Sequence, residues 1–357
     1  MNGLRLTNKC TGCSACVSIC KPGCISMQLD ENGFFKAYNT EENCDGCGHC
    51  KIVCPALHEI ALPARHIIAF QHRNPEILSA SASGGAFTVL ALEILSKGGV
   101  VYGVTVSEEG EAHYARVETP EKLGLLRGSK YIDVDIGNTG RLLKADADSS
   151  RPVLFVGLPC TVAGLKRLVR NRPNVLWVDL LCFGKPSRGE WDKWIRTFGP
   201  ITRLNFKDLR HGVSNWGVSF VQKSTGKEFY IPRSKCPPLR DWLDKKNLDP
   251  QCLRCSFHGF DRPSDITLGD FWGIESILTD LTQETIQKGV SMVLFNTDKS
   301  MSHAPLFDEG QLHVVEPPFA FDRCNGGLSP HGEPKRHGGP RYVMRKIWRI
   351  LTKSAQK

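Results

Sequence analysis

The 357-residue chain lacks a long uninterrupted apolar run. Its longest charge-free apolar stretch, residues 153–165, contains Pro159 and is shorter than the about 20 residues that span a bilayer. Residues 1–8 contain no apolar segment of the kind found in secretory signals. We therefore expect no transmembrane segment and a cytoplasmic, reducing location, in which the 15 cysteines stay reduced or bind metal.

The chain also lacks two phosphate-binding motifs, G-x-G-x-x-G and the Walker A loop. A Rossmann-type dinucleotide site is therefore not predicted. No zinc-finger or RNP signature accompanies the formal net charge of +9, so we expect no nucleic-acid partner.

Eight cysteines stand in two runs of identical spacing: Cys10, Cys13, Cys16 and Cys20, then Cys44, Cys47, Cys50 and Cys54. Three cysteines two residues apart can surround one face of a [4Fe-4S] cube, but their short loop does not reach the fourth iron. The fourth cysteine of each run is therefore predicted to ligate the cluster of the other run. One predicted cluster binds Cys10, Cys13, Cys16 and Cys54, and the other binds Cys44, Cys47, Cys50 and Cys20.

Two other interpretations of these runs are disfavoured. Disulfides need a secretory context, and three cysteines within seven residues crowd a single tetrahedral zinc ion. Cys24 is an alternative ligand to Cys20. Between the runs, alternating apolar residues and the Asn32-Gly33 turn predict a β-hairpin that covers the clusters.

From residue 66 onwards, predicted strands alternate with predicted helices, as in an α/β layer. Residues 201–231 have the pattern of antiparallel strands, which indicates a mixed sheet. The predicted fold class is thus α+β or α/β: a dicluster ferredoxin module over residues 1–62, a linker, and a mixed-sheet α/β domain. Residues 329–357 form a basic C-terminal tail with apolar residues at helical spacing, for which we favour a helix packed on its own domain over a membrane-bound or partner-bound helix.

Four further cysteines occupy strand ends and loops of the α/β domain. Cys160 follows a buried strand, Cys182 ends the next strand, and Cys252 and Cys255 form a C-x2-C pair. Because the carboxyl ends of neighbouring strands meet at one crevice, a third four-cysteine cluster is a candidate there. A lone C-x2-C pair is equally typical of half a zinc site or of a redox pair, so the spacing leaves these alternatives open.

Several motifs in one order resemble the coenzyme F420 hydrogenase/dehydrogenase beta-subunit family. They are SASGGAFT (81–88), RGSKY (127–131), FVGLPCTVAGLK (155–166), DLLCFGKP (179–186), CLRC (252–255) and DITLGDFWG (265–273). The resemblance covers roughly residues 4–328, including the fused ferredoxin. It implies a flavoprotein domain over residues 66–328 that holds FAD and a [4Fe-4S] cluster, with Cys160, Cys182, Cys252 and Cys255 as ligands.

The resemblance also directs attention to FAD-binding residues. Ser83, Gly84 and Gly85 precede an apolar helix, where backbone N–H groups can approach a pyrophosphate; the alternative is an ordinary serine cap with glycines for packing. Lys130 is a candidate partner for a flavin phosphate or for the isoalloxazine, although most lysines are solvated surface charges. Asp270 is either a site residue or the cap of the following helix.

The resulting prediction is an iron–sulfur, flavin-dependent oxidoreductase. A hydride carrier, coenzyme F420 or NAD(P)H, would exchange electrons with FAD, and the clusters would connect FAD to a redox partner protein or a small-molecule substrate. No catalytic side chain is predicted, because the cofactors carry the chemistry. Three clusters and FAD would remove roughly eight positive charges. The alternatives are a non-catalytic electron-transfer subunit that connects redox proteins and a cluster-stabilised scaffold protein.

Overall fold

The computed structural model describes residues 4–40, 42–58, 62–63, 66–257 and 261–315. The strands of these residues are β1 Leu4–Arg5, β2 Ile25–Leu29, β3 Phe35–Asn39, β4 Leu62–Pro63, β5 His66–Phe70, β6 Val100–Val106, β7 Ala112–Val117, β8 Val153–Gly157, β9 Val175–Leu180, β10 Ile201–Asp208, β11 Gly217–Gln222, β12 Glu228–Pro232, β13 Asp261–Arg262, β14 Ile266–Asp270, β15 Ser291–Phe295 and β16 Gln311–Val314. The predicted basic tail and Cys324 lie outside the described residues.

The α-helices are α1 Ala15–Ile19, α2 His49–Val53, α3 Pro75–Ser79, α4 Ala86–Ser96, α5 Thr139–Asp148, α6 Pro159–Leu168, α7 Arg188–Arg196, α8 Pro237–Leu243, α9 Gln283–Lys288 and α10 Asp298–Met301. Short 3-10 helices span Pro55–Leu57, Pro120–Leu126, Val213–Asn215, Arg233–Lys235, Cys252–Arg254, Ile274–Ser276 and Ala304–Gly310. None of the helices in these ranges combines the length and the apolar character needed to cross a bilayer.

An eight-stranded mixed sheet forms the centre of the molecule, in the order β16-β5-β15-β14-β9-β8-β6-β7. Strands β6, β8, β9 and β14 are mutually parallel, whereas β7, β15, β5 and β16 pair antiparallel with their neighbours. The predicted α/β fold with a mixed sheet is confirmed. The predicted antiparallel segment forms a separate three-stranded sheet, β10-β11-β12.

The central strands are apolar on both faces because both faces are covered. All five residues of β8 are buried. Leu154 and Val156 pack with α4 residues on one face, and Val153 and Phe155 pack with α6 residues on the other. The period of two in a strand produces this division.

The N-terminal cysteine runs lie on a small three-stranded sheet, β1-β3-β2. Strands β2 and β3 pair antiparallel from Ile25 with Asn39 to Leu29 with Phe35, which confirms the predicted hairpin. Gly33 adopts a φ of 77° in the turn, a conformation that glycine reaches without steric cost. β4 pairs with β13, so the chain after the second cysteine run is joined to the α/β part.

Helix α6 contacts the N-terminal module at Gly164. A Cβ atom at this position would lie 2.9 Å from both Ala15 Cβ and Cys13 Sγ. Only a residue without a side chain allows α6 to approach the first cysteine loop this closely.

We therefore expect Gly164→Ala to destabilise the protein by about 1–3 kcal/mol, because the added methyl group overpacks this contact. Thermal unfolding of the anaerobically purified protein measures the change. Gly124→Ala is the matched control, since no heavy atom lies within 4 Å of a Cβ built there. Equal unfolding temperatures for the two variants would contradict the expectation.

Candidate functional site

The first cysteine run surrounds a buried loop that leads into α1. Gly12 and Ser14 both have positive φ, at 69° and 58°, which curls the chain between the cysteines. The backbone N–H groups of Gly12 and Ala37 donate to Cys10 Sγ at 3.4 and 3.5 Å. Such N–H···S contacts are among the features that tune iron–sulfur centres.

Cys54 of the second run joins the first loop. Electrostatic interactions connect the Cys16 thiol to Cys13, Cys10 and Cys54. Burial raises the pKa of Cys13 to about 12, and it also raises the pKa of Cys54. These four cysteines are the set that the crossed assignment gives to one cluster.

The other three cysteines of the second run lie closer to solvent. Cys44 and Cys47 are exposed, and Cys50 is partly buried. Cys20 Sγ lies 3.4 Å from Cys24 Sγ, and Cys24 in turn interacts with the Cys44 side chain. Both Cys20 and Cys24 are therefore within reach of this set, and the choice between them as fourth ligand stays a prediction.

The third set of cysteines lines one cavity of the α/β domain: Cys160, Cys182, Cys252 and Cys255. Cys160 follows β8 and Cys182 follows β9, and the two strands are parallel neighbours. Their carboxyl ends therefore bring the two thiols to the same edge of the sheet. The C-x2-C pair reaches this edge from the loop after α8.

The third set is buried and close enough for mutual electrostatic interaction. Cys182 interacts with Cys160 and Cys255, and Cys252 interacts with Cys182. Burial raises the pKa of Cys160 to about 11 and that of Cys182 to about 12. Backbone N–H groups of Lys185 and Phe257 donate to Cys252 Sγ and Cys255 Sγ at 3.3 and 3.4 Å.

The geometry within these sets is wider than that of a single-ion site. In the part of the chain that the structure describes, no three His, Cys, Asp or Glu side chains converge tightly enough to hold one metal ion. A [4Fe-4S] cube distributes its four thiolates over four irons, so its ligands do not meet at one point. The described cysteines form no disulfide with one another.

The first and third sets adjoin each other. Cys13 interacts electrostatically with Cys160, and Cys13 Sγ borders Gly164 on the helix that begins beside Cys160. Two buried lysines, Lys36 and Lys185, also lie between the sets. Neither lysine stands out in the sequence, because no local pattern distinguishes them from surface lysines.

The glycine loop before α4 lies at the carboxyl end of β5. A Cβ atom on Gly84 would lie 2.1 Å from the carbonyl oxygen of Phe70, so glycine is required for packing there. Gly85 has a φ of 88° and precedes α4 without a side-chain cap. Ser83 Oγ donates to the carbonyl of Val290 at 2.9 Å instead of capping the helix. The serine-cap interpretation of this loop is therefore wrong.

Lys130 is directed to the end of a 3-10 helix. Its Nζ donates to the carbonyl oxygens of Leu126 and Arg127 at 3.1 and 2.6 Å. Burial lowers the pKa of Lys130 to about 7. Arg127, in the same motif, instead reaches the first turn of α4, where its Nε donates to Thr88 Oγ1 at 3.2 Å. Sequence reasoning selected the wrong cation for contact with this turn.

Lys207 is a second cation that the sequence did not reveal. Its side chain is fully buried, and its Nζ lies 2.6 Å from Asp270 Oδ2 and 2.9 Å from the carbonyl oxygen of Ala82. The pKa of Lys207 is raised, because Tyr131 and Asp270 outweigh the opposing effect of burial. Asp270 does not cap the following 3-10 helix, whose N-cap is Gly273. Lys207 thus connects three of the motifs noted in the sequence.

Two family comparisons agree with this organisation. Residues 150–317 match the family described as the C terminus of the coenzyme F420 hydrogenase/dehydrogenase beta subunit. Residues 9–57 match the 4Fe-4S dicluster domain. The chain carries both domains. The dicluster domain contains the two N-terminal cysteine runs, and the hydrogenase/dehydrogenase domain contains the third set.

Individual proteins resemble different parts of the chain. An uncharacterized ferredoxin of Methanocaldococcus jannaschii is 40% identical over 47 residues, which are 13% of this chain and 60% of that ferredoxin. A chain in the F420-reducing [NiFe] hydrogenase complex of Methanosarcina barkeri is 15% identical, with a TM-score of 0.47. The alignment covers 71% of this chain and 83% of that chain.

Proposed function

We propose that this protein is an iron–sulfur flavoenzyme that passes electrons between a hydride carrier, FAD and three [4Fe-4S] clusters. The hydride carrier is coenzyme F420 or NAD(P)H. The observation that carries the proposal is the adjacency of the cysteine sets, in particular Cys13 beside Cys160. FAD supplies the exchange between hydride and single electrons, and the clusters supply one-electron transfer.

The residues of the third set fit a cubane cluster in their chemistry. Four thiols border one cavity, two of them accept backbone N–H groups, and the Lys185 side chain stands in the cavity wall. As ligands, Cys160, Cys182, Cys252 and Cys255 would hold the cluster, while Phe257 covers the thiol of Cys160.

The start of α4 fits a phosphate group of FAD. The helix has 11 residues and an uncapped N-terminus, where N–H groups and the helix dipole favour an anion. Arg127 contacts the first turn of this helix, a place where a cation is unfavourable for the dipole unless an anion is bound. No carboxylate within ion-pair distance of Arg127 is found among the described residues. Ser83, Gly84, Gly85 and Lys130 remain predicted FAD residues.

The second candidate function is a non-catalytic electron-transfer subunit. The packing roles of Gly84 and Ser83 and the carbonyl contacts of Lys130 favour it, because each of these residues has a reason other than flavin for its position. In either case the exposed Cys44 and Cys47 form the end of the cysteine series where an external redox protein has access.

Anoxic titration of the purified full chain tests the proposed function. We expect about one FAD per chain, with flavin and cluster absorption bleached by NADH, NADPH or reduced coenzyme F420. Clusters without flavin would support the electron-transfer subunit instead. A colourless preparation would contradict both functions.

We expect Cys252→Ala to lose about four of about twelve irons per chain, because the third cluster loses a ligand. Iron analysis and absorption spectra of anaerobically purified protein measure the loss. Cys236→Ala is the control, since Cys236 is buried in the aromatic core of the three-stranded sheet. Retention of all iron in Cys252→Ala would remove the third cluster from the proposal.

We expect Arg127→Gln to weaken FAD binding by about 1.5–3 kcal/mol, the contribution typical of a hydrogen bond to a charged group. Equilibrium dialysis against FAD measures the change. Lys130→Gln is the matched variant: it removes a cation from the same motif but should affect stability rather than FAD affinity, because three carbonyl oxygens hold its ammonium. The reverse result would assign the phosphate contact to Lys130.

A further inference from the structure

Two buried ion pairs lie between the first cysteine loop and the third cysteine set. Lys36 Nζ lies 2.6 Å from Asp249 Oδ2, with both side chains 1% exposed. Lys185 Nζ lies 2.6 Å from Asp133 Oδ1, with side chains 4% and 1% exposed. The second contact is an ion pair without directed hydrogen-bond geometry.

Both lysines also bind the backbone of the first cysteine loop. Lys36 Nζ donates to the carbonyl oxygen of Cys10 at 2.9 Å, and Lys185 Nζ donates to that of Thr11 at 3.0 Å. Each lysine therefore connects a carboxylate of the α/β part to the loop that carries Cys10 and Cys13.

The same ion pairs reach the third set through the backbone. The Asp249 N–H donates to the carbonyl of Lys185 at 3.0 Å, and the Cys252 N–H donates to the carbonyl of Asp249 at 2.8 Å. The Lys185 N–H donates to Cys252 Sγ. Lys185 is thus bonded to both cysteine sets, through its side chain on one side and its backbone on the other.

Stability alone is a poor explanation for these charges. Burying an ion pair costs several kcal/mol of desolvation per ion, and apolar replacements of similar volume are often neutral or stabilising. A permanent cation has a different use beside an electron carrier. Each electron added to a cluster increases its negative charge, so a nearby positive charge favours the reduced form.

The position of Lys185 determines the sign of this effect. Its side chain borders the cavity of the third set. Among the charged groups that act on Cys160, Lys185 has the largest effect and opposes the rise in thiol pKa that burial causes. Asp133 and Asp249 act in the opposite sense with smaller effects.

We propose that Lys185, together with Asp133, is a positioning pair that raises the reduction potential of the cluster held by the third cysteine set. The inference rests on the proposed function, because it requires a cluster at Cys160, Cys182, Cys252 and Cys255. Removal of the lysine and removal of the carboxylate then have opposite effects on this potential.

EPR-monitored redox titration of the anaerobically purified full chain tests the pair. We expect Lys185→Met to lower the equilibrium constant for reduction of the third cluster at least tenfold, which is about 59 mV for a one-electron couple. Asp133→Asn should raise the potential, and the double variant should lie between the two single variants. The signal that Cys252→Ala removes identifies the third cluster, and the cluster near the exposed Cys44 is the internal reference.

The outcomes separate this inference from the proposed function. About eight irons in the unmodified protein would remove the third cluster, and the inference with it. About twelve irons with equal potentials in all variants, or with both single variants shifted in the same direction, would overturn the inference alone. A purely structural pair gives that second result, since both variants break the same contact. If Lys185→Met loses iron, the upward shift in Asp133→Asn decides the test.

Discussion

The contact between α6 and the first cysteine loop determines how the two domains are arranged. Cys160 and Gly164 are four residues apart on α6 and therefore lie on the same face of the helix. The missing side chain at Gly164 lets this face touch Cys13 and Ala15. A helix that places one thiol of the third set thus also fixes its separation from the first set, so the distance between two predicted clusters depends on a single glycine.

Charge inside the protein follows the same sites. Lys36, Lys185, Lys207 and Arg262 are all nearly inaccessible to solvent, and each is paired with an aspartate. Three of these cations adjoin the first or the third cysteine set, and Lys207 adjoins the glycine loop. Neutral pairs add nothing to the net charge of +9, but they place cations where thiolates, clusters and phosphates would bring negative charge. The basic composition is therefore compatible with redox cofactors without invoking nucleic acid.

Local patterns in the sequence predicted the parts of the structure that depend on neighbouring residues. The period of two in β2 and β3, the turn at Gly33, and the buried parallel strands that end near Cys160 and Cys182 are of this kind. The pairing of Lys36 with Asp249 joins residues 213 positions apart, so no local pattern reveals it. Arg127 and Lys130 are three residues apart in one motif, and only the path of the backbone decides that Arg127 reaches α4 while Lys130 turns to its own carbonyls.

The sheet places the candidate sites along one edge in a definite order. Strands β5, β14, β9 and β8 run in the same direction, so the glycine loop, Asp270, Cys182 and Cys160 all follow carboxyl ends. Ligands of open α/β sheets bind at this edge. The third set lies at β8 and β9, next to the first set across Gly164, and the second run continues to the exposed Cys44 and Cys47. Two-electron exchange therefore belongs near the sheet edge at β5 and β14, and one-electron exchange with other proteins belongs at the exposed second run.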